Sequence, residues 1–272
     1  LLCAIVLKLP WWACLIGATL FGAIWGAIPG LFKAYLNINE VITAIMFNWI
    51  GLYMVNDIMY GKGKSPMYDL ASTKTYSLRK AAPQAMIPSL GMSELFGKLQ
   101  SVTIAIFIAI FFAIVVYIIL NKTAFGYELR ACGFNKNAAR YAGINEKRNI
   151  ILAMMISGAL AGVGAGLYYL STVAEWNPQV STALPAMGFN GISTALLACS
   201  NPIGTIFSSL FISYITVGGT KLSTQYYTKE IADVITALII YLCAFSLLFK
   251  NKIRALLVGK AKRVSVGKGG DD

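Results

Sequence analysis

The chain has 272 residues, 57% of them apolar and 12% charged, against roughly 45–50% apolar and 25% charged in an ordinary soluble domain. With a mean hydropathy of +0.67 it has too little polar surface to coat a water-soluble globule, which excludes a soluble enzyme, a disordered chain and a secreted disulfide scaffold. The sequence has no histidine and a formal net charge of +12; the first removes histidine-based catalysis, zinc sites and proton relays, and the second has an explanation in membrane topology.

Apolar stretches of about 20 residues match the hydrocarbon core of a bilayer. Leu1–Leu7 is apolar with no basic segment before it, so it is expected to be the end of a transmembrane helix whose upstream part is missing, not a signal peptide. Leu9–Phe32 is the first complete span, closed by Lys33, and Asn37–Ile58 is the second, carrying Asn39, Glu40, Asn48, Asn56 and Asp57. Residues 59–100 hold Pro66, Pro83 and Pro88 with Lys62, Lys64, Asp69, Arg79 and Lys80. They are too polar and too broken by proline to span, and a long extramembrane excursion is predicted. Ser101–Leu120 is an uncharged span, 121–149 is a polar, basic loop, and Ile150–Val173 spans again. Two shorter pieces follow, Ala186–Ser200 and Ile203–Val217, split by Asn201-Pro202; Asp233–Phe249 is the last span, before a basic tail at 251–272.

Only helices or closed barrels satisfy every backbone polar group in lipid, and these runs lack the period-two alternation of a barrel. The prediction is an all-α polytopic transmembrane bundle over 1–250, with about seven passes plus a truncated N-terminal helix. The two short pieces count as one pass each or together as a broken or re-entrant pair.

Basic residues accumulate on the cytoplasmic side of short loops. Placing Lys33, the 121–149 loop (Lys122, Arg130, Lys136, Arg140, Lys147, Arg148) and the tail (Lys250, Lys252, Arg254, Lys260, Lys262, Arg263, Lys268) inside gathers 14 of the 23 Lys and Arg there. The 59–100 excursion then lies outside and the C-terminus is cytoplasmic. The tail's charge reads as an anchor on anionic lipid, not as a nucleic-acid patch. The five cysteines include no CxxC pair, and four lie in apolar runs where they pack as small hydrophobes.

Two spans carry glycines four apart, Gly22-Gly26-Gly30 and Gly158-Gly162-Gly166. That spacing puts them on one helix face, suited to close helix packing or to sliding between helices. The GVGAG run at 162–166 is not a phosphate loop, because the lysine and Ser/Thr are missing. No Walker motif occurs elsewhere in the chain either, so if the protein serves an ATP-driven process another subunit is expected to bind the ATP. Polar residues in spans carry a functional expectation because hydrocarbon makes them costly. Asn48 lies mid-span; Glu40 lies near an end and is either an interfacial charge or a path residue. Asn190, Ser193 and Thr194 follow Pro185, Gly188 and Gly191 in a short interrupted segment, the usual pointer to a broken helix on a substrate path. Trp11, Trp12, Tyr168, Tyr169 and Trp176 sit near span ends, as belt residues or as a stacking surface for a flat ligand.

The stretch Gly126–Ile144, GYELRACGFNKNAARYAGI, is on composition a loop with a short amphipathic helix around Ala138, Ala139, Arg140 and Tyr141. It also resembles the cytoplasmic loop of bacterial ABC-importer permeases of the branched-chain amino acid and simple-sugar permease family. The matching residues are Gly126, Leu129-Arg130-Ala131, Gly133, Asn135 and Ala138–Ile144, with Cys132 where a valine or isoleucine is expected. Asn37–Ile50 (NINEVITAIMFNWI) and Gly188–Gly204 (GFNGISTALLACSNPIG) are similar to segments of that family's nucleoside-type branch, the second more loosely at Ser193-Thr194 and Ala198–Ser200.

The resemblance implies a permease subunit of a bacterial plasma-membrane importer for nucleosides or related ribosides and simple sugars. It implies no cofactor on this chain, ATP-Mg on separate ATPase subunits, a second permease subunit in a homo- or heterodimer, and an extracellular lipoprotein that delivers substrate. Gly126, Arg130, Gly133, Asn135, Ala139, Arg140, Tyr141 and Gly143 would form the coupling surface for the ATPase, with Arg130 and Arg140 foremost. Asn48, Asn190 and Glu40 would line the path. A branched-chain amino acid permease and an ion-coupled secondary transporter are the rivals; few span charges are available for a zwitterion or a coupling ion.

Overall fold

In the computed structural model the described residues are 1–60, 68–69, 74–75, 78–88, 103–172 and 186–221, with 231, 234–235, 237–239 and 241–242. Trp176, most of the span expected at 233–249, the 251–272 tail and much of the 59–100 excursion lie outside them. The helices are α1 (Leu2–Ile5), α2 (Trp11–Leu36), α3 (Glu40–Tyr60), α4 (Leu78–Ala81), α5 (Ala105–Lys122), α6 (Ala124–Phe134), α7 (Lys136–Tyr141), α8 (Glu146–Leu170), α9 (Ala186–Leu197) and α10 (Pro202–Lys221). A two-residue antiparallel ladder in the excursion, Tyr68 opposite Thr75 and Asp69 opposite Lys74, is the only strand pairing among the described residues.

Five helices among the described residues, α2, α3, α5, α8 and α10, are long and apolar enough to cross a bilayer. Their large side chains point outward: Phe21 is 70% exposed, Phe111 62% and Phe207 71%, and α5 buries no residue at all. A water-soluble bundle would hide such residues; their exposure suits a lipid surrounding. The chain is an all-α polytopic membrane bundle. α9, with 12 residues at 1.5 Å each, reaches only about 18 Å, short of the roughly 30 Å core, and so fits the broken or re-entrant alternative and not a pass of its own.

The chain divides into two units, Leu1–Pro185 and Ala186–Asp272. In the first, α2 runs antiparallel to α8 along most of its length, and the two glycine stripes face one another. A methyl group at Gly26 would stand 2.6 Å from the Met154 carbonyl oxygen and 2.9 Å from Gly158 Cα. One at Gly22 would overlap the Gly158 carbonyl, one at Gly158 the Gly22 carbonyl, and one at Gly162 that of Ala18. Backbone therefore lies on backbone, which only glycine permits and which suits Cα–H···O contacts.

Short connections and local caps fix the neighbours. α2 ends at Asn37, whose left-handed φ of 53° is one that Asn tolerates. Three residues later α3 begins, Asn39 Oδ1 accepting from Val41 N at 2.9 Å. Lys33 and Glu40 pair across this turn at 2.5 Å. Where α2 begins and α8 finishes, residues 78–88 of the excursion close the bundle: Leu78, Ala82, Ala85 and Ile87 are buried with Ala4, Ile5, Cys14 and Leu167, and Ile87 N donates to Leu170 O at 3.2 Å. In the second unit α9 and α10 form a hairpin, Ser208 Oγ donating to Thr194 O at 2.8 Å. Its turn places Cys199 and Ser200 in the left-handed region, and Asn201 Oδ1 then accepts from Ile203 N at 3.0 Å to start α10. Asn201-Pro202 thus both separates the two pieces and opens the second, with Pro at the first helical position where its missing N–H costs nothing.

Candidate functional site

The segment 121–149, expected as a loop with one short helix, folds into α6 and α7 plus the first turn of α8. Three side-chain caps make this possible. Thr123 Oγ1 accepts from Gly126 N at 3.1 Å, Asn135 Oδ1 from Asn137 N at 3.0 Å and Ala138 N at 3.2 Å, and Asn145 Oδ1 from Arg148 N at 3.1 Å. Each satisfies amides that the first helical turn leaves unpaired. A side chain at Gly126 would collide with the carbonyls of Ile119 and Leu120, so glycine there lets α6 fold back against the end of α5. Gly143 has φ +79°, and its N–H reaches Arg140 O at 3.1 Å while Ile144 N reaches Ala139 O at 3.0 Å. This is a left-handed C-cap that stops α7.

Of the residues expected on the coupling surface, Gly126, Asn135 and Gly143 thus shape the segment, and Ala139 is buried at its inner face. Gly133 has open space around it. Arg130 is exposed and folds back to Asn121 Oδ1 at 3.3 Å. Arg140 is exposed and Tyr141 is 94% exposed. Sequence reasoning did not single out Phe134, 90% exposed, or the groove of about 480 Å³ between α6 and α7 that Tyr127, Glu128, Phe134, Asn135 and Ile144 line over an alanine floor. The run of Ala131, Ala138, Ala139 and Ala142 was the available signal for such a floor. Two nearly naked aromatic rings beside an apolar groove form the kind of surface that partners cover.

The path candidates are placed differently. Asn48 stands on an exposed face midway along α3. Glu40, eight residues earlier, is engaged by Lys33. Asn190 is half-buried on α9, in the second unit. Its neighbours Ser193 and Thr194 return their hydroxyls to Phe189 O at 2.9 Å and Gly191 O at 2.8 Å, so Asn190 is the one of the three without a side-chain hydrogen bond among the described residues. Trp11 and Trp12 share an end of the bundle with Tyr168 and Tyr169, whose rings meet edge to face at 5.3 Å. Four aromatics at this end stand where a membrane-interface belt is expected.

A family model described as branched-chain amino acid transport system / permease component matches residues 1–244. The chain belongs to this permease family. The permease is 32% identical over 249 residues to the nucleoside ABC transporter permease protein NupB of Lactococcus lactis subsp. cremoris (strain MG1363), covering 92% of this chain and 67% of the relative. It is likewise 32% identical over 250 residues to the guanosine ABC transporter permease protein NupP of Bacillus subtilis (strain 168), with the same coverage. The glucose ABC transporter permease protein TsgB13 of Haloferax volcanii is 25% identical over 240 residues, 87% of this chain and 61% of its own length. The permease therefore spans about two thirds of the length of the first two relatives. No solved structure gives a significant match. As a member of this family the permease is a multi-pass membrane transport component, and the family's systems include ATPase and substrate-binding partners.

Proposed function

We propose that this chain is the membrane-embedded permease subunit of an ATP-driven importer for nucleosides or related ribosides. It would act as one of two permease subunits, fed by an extracellular lipoprotein, with ATP-Mg bound and hydrolysed on separate ATPase subunits and no cofactor on this chain. The observation that carries the reading is the α6–α7 surface, where Phe134 and Tyr141 stand exposed beside a groove in the segment that matches the family's loop. Arg140 and Tyr141 meet the ATPase subunit; Arg130 supports α6 from behind through Asn121. Closure of the ATPase dimer on bound nucleotide pushes α6–α7, and rigid-body motion of the spans alternates access.

The substrate class rests on the two relatives named for nucleosides and guanosine, and on the chemistry of the spans. Every charged side chain on α2, α3, α5, α8 and α10 lies in a first or last helical turn. Mid-depth polarity comes from amides such as Asn48, with Asn190 on α9, which suit a neutral riboside better than a zwitterion or a coupling ion. Glu40, held by Lys33, is the weakest of the path residues. The basic composition of the 121–149 segment and of the tail at 251–272 supports a cytoplasmic C-terminus.

The test uses proteoliposomes holding all subunits and follows ATP-driven uptake of radiolabelled guanosine, leucine and glucose. Guanosine uptake is expected, falling at least about tenfold in Arg140→Ala and Tyr141→Ala together with loss of ATPase co-purification, as for hot-spot residues of about 1.4 kcal/mol or more. Uptake of leucine but not guanosine would refute the substrate; unchanged coupling and association in both variants would refute the docking surface.

A further inference from the structure

The first residue of α8 to be fully enclosed is polar. Asn149 is 2% exposed, one turn into the helix, where it faces α6. Its side-chain Nδ2 donates to Glu128 Oε2 at 3.1 Å and to Cys132 Sγ at 3.7 Å, two residues on the same face of α6, one turn apart. Cys132, the position where the family's loop leads one to expect valine or isoleucine, is itself buried and supplies the soft acceptor. A buried amide holding a carboxylate and a thiol is a directional contact, because shifting one helix against the other leaves polar atoms unpaired.

From Asn149 the same helix leads to the glycine face. Gly158 and Gly162 lie against Gly22, Gly26 and Ala18 of α2 with backbone touching backbone. Beyond the contact α2 carries Trp25, edge-on to Phe47 of α3 at 5.7 Å, with its ring against Gly51. Lys147, two residues before Asn149, lies over the Tyr35 ring of α2 at 5.1 Å. The groups that join α6 to α8 and α8 to α2 are therefore continuous.

We infer that Asn149, latched to Glu128 and Cys132, is the positioning residue that passes displacement of the α6–α7 surface to α8 and, through the glycine contact, to α2. This deepens the proposed function and rests on its reading of α6–α7 as the ATPase-facing surface. Asn149 touches neither nucleotide nor substrate; it makes the surface and the span move as one body. Coupling of this kind is a free energy between two sites carried by an element with two arrangements, and removing the link separates the responses without abolishing either.

The test exploits the polarity of the hydrogen bond. Asn149→Asp sets two carboxylates against each other, whereas Glu128→Gln keeps an acceptor for Asn149, and the double variant restores one donor and one acceptor with the sense reversed. The full permease–ATPase complex is prepared in nanodiscs with fluorotryptophan in the permease, and the Trp25 fluorine resonance is followed on adding ATP with vanadate. Trapping is expected to shift the Trp25 signal in the wild type and in Glu128→Gln. Asn149→Asp is expected to retain ATPase co-purification and to cut the shifted population at least about fivefold, the low end of a coupling effect, and Glu128→Gln/Asn149→Asp to recover it. A wild-type response in Asn149→Asp overturns the latch while leaving the docking surface standing, and a double variant as defective as Asn149→Asp overturns the pairing. A complex in which Arg140→Ala and Tyr141→Ala keep ATPase co-purification and the Trp25 response overturns the docking surface, and the latch with it.

Discussion

Asn135 illustrates how one residue can satisfy two readings. The resemblance of its loop implies a coupling residue; in the structure its amide caps α7 through Asn137 N and Ala138 N, and Arg140 and Tyr141 are among the exposed side chains of this segment. A cap lost to alanine costs about 1 kcal/mol, so Asn135→Ala is expected to lower the melting temperature of the detergent-solubilised permease and weaken coupling, with Asn135→Asp close to wild type in both. A ligand-like role would instead make Asp as damaging as Ala. At Gly143, with φ +79°, Gly143→Ala adds a left-handed strain of about 1–2 kcal/mol and is expected to loosen the same helix end. The residue types of this segment were legible in the sequence because caps and left-handed stops have short-range signatures. The latch was not, since Asn149 and Glu128 lie 21 positions apart and neither belongs to a recognisable spacing.

At the level of elements, the apolar runs predicted α2, α3, α5 and α8 as spans to within a few residues at each end. The boundaries moved for local reasons: Asn145 caps α8 five residues before the apolar run begins at Ile150, and α2 continues past Lys33 to Leu36, where Asn37 in the left-handed region ends it. α6 went unseen because Glu128, Arg130 and two glycines hide its inward face in a polar stretch. The glycine stripes were visible, but periodicity names a face and not the helix opposite it. That pairing also decides between close packing and sliding: interlocked carbonyls and glycines at Gly22, Gly26, Gly158 and Gly162 favour a fixed pair. Gly158→Val is therefore expected to cost about 1–3 kcal/mol as overpacking and to lower folded yield. Gly164→Val, where nothing lies within 4 Å, leaves yield and melting temperature unchanged. Equal behaviour of the two variants in a detergent thermal-melt assay would disprove the interlock.

For the whole molecule, composition required a bilayer and the family match supplies the class, while the number of passes depends on segments that composition describes poorly. α9 is too short to cross alone, and only its hairpin with α10 reveals how Asn201-Pro202 joins the two. The orientation argued from basic residues gives a direct prediction. Fluorescent-protein fusions after residue 250 and within 136–141 are expected to glow, and alkaline-phosphatase fusions within 61–67 to be active, because the first reporter folds in the cytoplasm and the second outside it. Inverted results at all three sites would reverse the topology and detach α6–α7 from any cytoplasmic ATPase.

The α2–α8 contact also sets a timetable. Roughly 110 residues separate Leu36 from Glu146, so at about 5–20 residues per second α2 waits on the order of 5–20 s in the membrane before its partner is synthesised. Until then its glycine face lacks α8, the helix whose backbone it is shaped to meet. A chain truncated between those points would carry α2 without its partner, and is expected to be degraded by membrane proteases faster than one that includes α8.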